Sequence, residues 1–145
     1  MPDGIFFKNQ NSAFDKLFKQ IKNASEDIIN ALDAEMGASV EEMATKAKQK
    51  SPVDTGLLRN SIAVLKEDKF KYRLVDNARY AAYVEFGTGP LAKNYIPSLD
   101  KEWQEYANEF KRSKPGHTPA QPFFYPSVME IFPIMIKRME NIIKK

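Results

Sequence analysis

The strongest pattern of apolar positions lies between residues 12 and 50, where hydrophobic side chains recur at intervals of three and four. This spacing places them along one side of an α-helix. The positions are Phe14, Leu17, Phe18, Ile21, Ile28, Leu32, Met36, Val40, Met43 and Ala47. Ser12 is a candidate N-cap, and Pro52 ends the run because proline disfavours helical geometry at the preceding residue. Glycine costs a helix about 1 kcal/mol relative to alanine, so we expect one helix bent near Gly37 or two helices in tandem.

Two short strands are predicted after a turn at residues 51–56. Residues 61–65 and 72–75 are rich in β-branched and other apolar side chains, and the polar stretch between them suits a hairpin loop. Residues 80–86 fit a short helix that ends at a glycine, although their alternation also permits a strand. We favour the helix.

The second half of the chain begins with a long connection, residues 88–122, because glycine and proline cluster there. A short helix is expected inside it. Its apolar positions recur at threes and fours: Leu99, Trp103, Tyr106 and Phe110. Residues 123–125 are expected to be extended, and a second amphipathic helix is expected from Ser127 to Lys144, with Pro133 kinking it or marking its first turn.

The order of these elements predicts an α+β fold with a long N-terminal helix, a small antiparallel sheet with a hairpin, and a C-terminal amphipathic helix. A chain of 145 residues is the size of one domain, so we expect residues 1–145 to form a single domain. Residues 1–11 are read as an N-terminal extension. A helix spanning residues 12–50 could reach over about 50 Å. We expect its apolar stripe to pack on the sheet of the same chain, with some overhang onto a neighbouring subunit as the alternative.

Composition narrows the function classes. The chain has no cysteine, which removes disulfides and thiolate chemistry. Its N-terminal segment lacks a secretory pattern and no apolar run approaches the roughly 18 residues of a membrane span, so a soluble, intracellular protein is expected. The net charge of +3 comes from 22 basic and 19 acidic residues that are interspersed, which favours a mixed surface over a nucleic-acid footprint.

Asp54, Thr55 and Gly56 form the triplet that aspartic proteases use, where two aspartates from two copies share a proton. The surroundings argue against that chemistry, since the triplet follows a long helix and the chain lacks the many strands of that fold. A structural turn, in which Asp54 and Thr55 bond nearby amides, is the simpler interpretation.

Other motifs carry weaker chemistry. Gly87, Thr88 and Gly89 lack the Lys-Ser/Thr of a phosphate loop, and His117 is the sole histidine, in a loop. No catalytic, cofactor-binding or metal-binding residue is therefore assigned. The basic C-terminal end, Lys137, Arg138, Lys144 and Lys145, complements a helix dipole, and it also leaves open an alternative function as a small basic nucleic-acid-binding protein.

Three segments then resemble, in order, the elements of one family. Residues 51–62 read SPVDTGLLRNSI, residues 79–90 read RYAAYVEFGTGP, and residues 119–128 read PAQPFFYPSV. With the long helix before them and the closing helix after them, they resemble the tail-completion or head–tail joining (neck) family of tailed bacteriophages. That family is typified by the gene-product-ten protein of a lambdoid phage. The resemblance covers about residues 12–143.

The resemblance implies a non-enzymatic morphogenesis protein of a phage or prophage, a ring subunit at the head–tail joint or in tail completion. Its implied partners are copies of itself and other neck or tail proteins, and its implied location is the virion, with assembly in the host cytoplasm. No small-molecule substrate or cofactor is implied. The matching positions are Asp54, Thr55, Gly56, Leu58, Arg59, Tyr80, Tyr83, Glu85, Gly87, Pro122, Phe123 and Pro126. Glycines and prolines are expected to set turns, and Arg59 with Glu85 is a candidate ion pair.

Overall fold

The computed structural model describes residues 5–8, 12–52, 56–78, 80–87, 101, 103–105, 107–108 and 120–144, with side chains from Asp15 onward. Within these ranges the chain forms two helices in tandem, α1 (Ser12–Gln20) and α2 (Glu26–Lys50). The break lies at residues 21–25 rather than at Gly37. There Ser25 caps α2, its Oγ accepting the Ile28 N–H at 3.3 Å, and two acidic residues follow in the first turn, where the helix dipole favours them.

Gly37 lies inside α2 because a tyrosine ring packs against it. A Cβ at this position would lie 3.0 Å from the Tyr72 hydroxyl and 3.1 Å from two ring carbons. The cost of glycine in the helix is therefore offset by close approach of the sheet. The helix ends at Ser51, immediately before Pro52, with the Ser51 N–H bonded to the Ala47 carbonyl at 2.9 Å.

The sheet has three antiparallel strands in the order β1-β3-β2: β1 (Ile5–Lys8), β2 (Ile62–Asp68) and β3 (Lys71–Asp76). The predicted hairpin is present, but its strands are longer and its loop shorter than the pattern indicated. Only Lys69 and Phe70 separate them. β1, within the segment read as an N-terminal extension, pairs with β3 so that Phe7 lies opposite Leu74.

Three helices whose bounds lie in the described residues follow: α3 (Leu57–Asn60), α4 (Ala81–Phe86) and α5 (Tyr125–Ile143). The helix interpretation of residues 80–86 is confirmed. The extended segment expected at 123–125 is wrong, since α5 already begins at Tyr125. Pro126 sits in its first turn, where the missing N–H costs nothing, and Pro133 lies inside the helix on its exposed side. Residues 103–105 and 107–108, from the short helix expected near Trp103, are helical.

α2 is the centre of the packing. One side of it contacts β2 and β3, and another contacts α5, while α1 also reaches α5. The α2–α5 contact is antiparallel, as its ion pairs show: Lys50 Nζ lies 2.9 Å from Glu130, and Arg138 lies 2.8 Å from Glu42. Buried side chains from the helices and the sheet join one hydrophobic cluster, whose largest members include Phe86, Phe123, Phe124, Leu32, Met36 and Leu74. The predicted α+β fold class is confirmed.

Candidate functional site

Glu85 joins two of the motif segments. It lies on α4, its side chain is fully buried, and its carboxylate faces the start of α5. Oε1 accepts the N–H groups of Phe123 at 2.9 Å and Phe124 at 2.7 Å, and Oε2 accepts that of Tyr125 at 3.2 Å. The first N–H groups of a helix have no partner within the helix, so a carboxylate there supplies both hydrogen bonds and favourable charge. Glu85 thus holds the N-terminus of α5 from another helix.

The short helix α4 places Glu85 at this point. Gly87 ends the helix with φ of 77°, a conformation that favours glycine, and its N–H bonds to the Tyr83 carbonyl at 2.9 Å. The Val84 carbonyl then accepts the Gln121 N–H at 2.7 Å. Backbone and side-chain hydrogen bonds therefore bring residues 84–87 and 121–125 together, although they are far apart in sequence.

An aromatic cluster surrounds the same junction. The Trp103 ring lies 6.2 Å from Phe86, 6.0 Å from Phe124 and 5.0 Å from Tyr125, and its contact with Tyr125 is edge-on. Such pairs add about 0.5–1.5 kcal/mol each beyond the burial of their surface. Trp103 belongs to the short helix expected within the long connection. It packs within the chain, against both α4 and α5.

The first motif segment is described only in part. Asp54 and Thr55 lie outside the described residues, as do Thr88, Gly89 and His117. Gly56 has φ of +74°, which explains a glycine there, and Leu58 is buried. The predicted ion pair between Arg59 and Glu85 is wrong: the Glu85 carboxylate binds the α5 backbone, and the Arg59 Nε is buried without a hydrogen-bond partner.

Asp33, which the sequence analysis did not single out, connects α2 to the hairpin. Its Oδ2 accepts Lys66 Nζ at 2.8 Å, and its Oδ1 accepts the Phe70 N–H at 2.9 Å and the Tyr72 hydroxyl at 3.2 Å. Burial acts to raise the pKa of Asp33, but these hydrogen bonds outweigh it and lower the pKa below its ordinary value. Phe70 has φ of 61°, unusual for a bulky residue, and Asp33 holds its N–H. An aspartate one position after Leu32 in the apolar stripe was the available signal.

Asp76 is the third buried acid among the described residues, after Glu85 and Asp33. It ends β3 and is fully buried, with Oδ1 accepting the Ala78 N–H at 3.0 Å and Oδ2 without a hydrogen-bond partner. Burial raises the pKa of Asp76 to about 6, against the weaker effect of the Ala78 N–H, which lowers it. Leaving a buried oxygen unpaired costs stability, so Asp76 is the least satisfied acid of the three.

The geometry supports a scaffold more than a reaction centre, since Asp33 and Glu85 both hold backbone N–H groups. Among the described residues, no group of three or more His, Cys, Asp or Glu side chains is arranged to hold a metal ion. In the same part of the chain, no helix combines the length and apolar composition needed to cross a bilayer.

Comparison with protein families supplies the identity. Residues 15–87, from α1 to the end of α4, match the family model HK97-gp10_like, described as "Bacteriophage HK97-gp10, putative tail-component". The chain belongs to the HK97-gp10-like family. This confirms the family predicted from the three motif segments and makes the chain a bacteriophage tail component. A search of curated proteins and a search of solved structures found no match.

The family match includes only one side of the junction between α4 and α5. It includes Asp33, Gly56, Asp76 and Glu85, and it ends at Gly87, so α5 and the segment at 119–128 lie outside it. Glu85 therefore belongs to the matched region while the backbone it binds does not. As a tail component, the chain is assigned to the virion and to contacts with other phage proteins.

Proposed function

We propose that the chain is a structural subunit of a ring at the head–tail joint, or of the ring that completes the tail. Its partners are further copies of itself and other neck or tail proteins, and it is assembled in the host cytoplasm from a phage or prophage gene. Family membership supports the coarser part of this statement, a tail component. The finer part, a ring subunit at the head–tail joint or in tail completion, rests on the contacts that the motif residues make.

The observation that carries the proposal is the use of Glu85. A catalytic carboxylate is expected to face a cleft and a substrate. The Glu85 carboxylate is instead buried, and its oxygens accept hydrogen bonds from the N–H groups of Phe123, Phe124 and Tyr125. Glu85, in one of the three segments that resemble the family, therefore holds α4 against the start of α5, which suits a structural protein.

The proposal includes one domain over residues 1–145, with no catalytic, cofactor-binding or metal-binding residue. A single hydrophobic cluster drawing on α1, α2, the sheet and α5 supports one folding unit. The long connection at 88–122 is the segment we propose for contacts with other virion proteins, because loops of that length commonly serve contacts outside the domain.

Deletion of the gene from its phage tests the proposal. We expect separated heads and tails, or tails that are not completed, when lysates are examined by electron microscopy, and restoration when the full chain is supplied from a plasmid. Normal infectious particles from the deletion would show that the proposed role is wrong.

One variant and one binding measurement address the other function classes. Asp54→Asn should restore the deletion as well as the natural chain does, whereas a protease would lose its activity. The purified chain should show no salt-sensitive DNA binding near physiological ionic strength, and such binding would favour the nucleic-acid alternative.

A further inference from the structure

The solvent-exposed side of α5 carries apolar side chains. Met129 is 38% exposed and Ile134 is 41% exposed, and Pro133 between them is also exposed. One turn further on, the same side becomes basic and polar. We call this surface the α5 outward face, comprising Met129, Glu130, Pro133, Ile134, Lys137, Asn141 and Lys144. Glu130 is paired with Lys46 and Lys50 of α2 in the same copy. Large apolar groups beside cations are typical of a surface that another protein covers.

The side of α2 opposite its buried stripe has a different character. Its exposed residues recur at alternating intervals of four and three over six steps, the repeat of helices that pack along a seam. We call this surface the α2 outward face, comprising Asp27, Ala31, Ala34, Ala38, Glu41, Thr45 and Lys48. The three central alanines leave room for large side chains to approach the helix closely.

The charges on the two faces that form no ion pair within the described residues are complementary. The charged residues beside the α2–α5 contact are paired within the chain, as in Glu42–Arg138 and Glu130–Lys50. Within the described part of the chain, the acids Asp27 and Glu41 and the bases Lys137 and Lys144 form no ion pair. The α2 outward face is thus net acidic, with Lys48 at its C-terminal end. On the α5 outward face, the charges that form no ion pair within the described residues, Lys137 and Lys144, are both basic.

We propose that the α5 outward face of one copy docks on the α2 outward face of the next copy. The apolar side chains of Met129 and Ile134 pack over the alanines, and Lys137 lies near the acids of α2. Two cationic α5 faces repel one another, so the contact joins two different patches head to tail, the kind of interface that closes into a ring. This inference rests on the proposed function and deepens it by naming the surfaces.

Cysteine cross-linking tests the contact directly, because the natural chain has no cysteine. The doubly substituted chain, Ala34→Cys with Ile134→Cys, is supplied to a phage lacking the gene, and the purified particles are treated with a short bis-maleimide. We expect a ladder of covalent multimers on a denaturing gel. Either single substitution alone should stay monomeric, and a mixture of the two single variants should give dimers at most.

The matched control is Lys16→Cys with Lys71→Cys, two exposed positions on α1 and β3 outside the proposed contact, which should give no ladder. A general amine cross-linker applied to natural particles tests the ring separately from the proposed contact between the two faces. If it links copies while the Ala34–Ile134 pair does not, the contact is wrong and the ring stands. If it links no copies, the ring and the contact both fail. Dimers from Ala34→Cys alone would also overturn the head-to-tail contact.

Charge reversal provides an independent readout. Lys137→Glu should lower the yield of joined particles, and adding Glu41→Lys to it should restore part of that yield. Lys71→Glu makes the same change of charge on β3 and should have no effect. Unfolding curves that match the natural chain show that each variant folds. Full joining by the folded Lys137→Glu chain would overturn the proposal.

Discussion

Asp33 and Asp76 are both buried aspartates, yet folding moves their pKa values in opposite directions. Burial alone raises the pKa of each. At Asp33, hydrogen bonds from Lys66, the Phe70 N–H and Tyr72 reverse that effect. At Asp76, the Ala78 N–H acts alone, and burial raises the pKa to about 6. Hydrogen-bond partners, rather than depth of burial, decide whether the ionised form of a buried acid stabilises the fold.

The difference follows from where each acid lies. Asp33 faces a tight turn whose Phe70 N–H points out of the sheet, so a donor is available. Asp76 ends β3 between Ile5 of β1 and Ile62 of β2, and its Oδ2 has no donor. Glu85 extends the series, with three backbone N–H groups on one carboxylate. These three acids should therefore respond differently to substitution.

The largest loss is expected for Glu85→Ala. It leaves three N–H groups at the start of α5 without their acceptor, and each unpaired buried group costs about 1–3 kcal/mol, so we expect a loss of at least about 3 kcal/mol. Urea unfolding followed by Trp103 fluorescence measures it, since that ring packs on α4 and α5. Glu85→Gln keeps an acceptor oxygen and should lose less. A cost like that of the exposed control Glu41→Ala would contradict the capping role.

Asp33→Ala should cost about 1–3 kcal/mol, because the Phe70 N–H loses its acceptor, whereas the Tyr72 hydroxyl keeps its bond to the main-chain carbonyl of residue 33 at 3.1 Å. Lys66→Ala removes the ion pair and the contact of Lys66 Nζ with the Tyr72 ring, 5.5 Å from its centroid. It should cost less than Asp33→Ala, since the Lys66 side chain is 52% exposed and solvent screens its charge. Denaturant midpoints of the two variants give the comparison. Equal losses would mean that the ion pair, rather than the hydrogen bonds to the hairpin, carries the effect.

Asp76→Asn should stabilise the protein above pH 6. The folded pKa of about 6 lies above the ordinary 3.8, so the protonated form is favoured in the fold. The contribution of Asp76 is therefore fully present below about pH 4 and is lost as the pH rises through about 6. At about 1.4 kcal/mol per pKa unit, the variant should gain roughly 1–3 kcal/mol over the natural chain between pH 4 and pH 7.

Unfolding free energies of both chains at several pH values measure this difference. Both chains contain Asp33, so its titration cancels in the difference between them. Because the pKa of Asp33 is lowered in the fold, its own contribution to stability is lost as the pH falls. A stability difference that does not change between pH 4 and pH 7 would show that Asp76 titrates normally.

Gly37→Ala gives the smallest effect and tests the packing behind Asp33. Helix propensity alone would stabilise the variant by about 1 kcal/mol. The new Cβ would press on Tyr72, which is 7% exposed and bonded to Asp33, so we expect a net loss of about 1 kcal/mol instead. Ala38→Gly, on the exposed side of the same helix, should lose a similar amount through propensity only. A stabilised Gly37→Ala chain would show that the ring can move aside.

Local pattern predicted much of this fold. The three- and four-residue spacing indicated α1, α2 and α5, and Gly87 correctly marked the end of α4. Helical spacing and a glycine at a helix end both depend on residues a few positions apart, so both can be read from the sequence. Spacing did not reveal the break at residues 21–25, because Ile21 and Ile28 are two helical turns apart and would lie on the same side of one continuous helix.

The contacts between distant segments were not predictable in this way. Arg59 was paired with Glu85 because opposite charges suggested it, whereas the fold gave Glu85 the N–H groups of residues 123–125. Backbone donors have no signature in a sequence, since every residue except proline carries one. The membership of β1 in the sheet and the role of Asp33 were missed for the same reason.

Helical periodicity, the hairpin, the glycine and proline positions and the family were therefore readable from the order of residues alone. Which buried acids are satisfied, why Gly37 is a glycine, and which exposed faces of α2 and α5 remain for a partner depended on three-dimensional packing. The physical reason is the range of the forces: backbone geometry acts between neighbours in sequence, while burial and hydrogen bonding act between whatever the fold brings together.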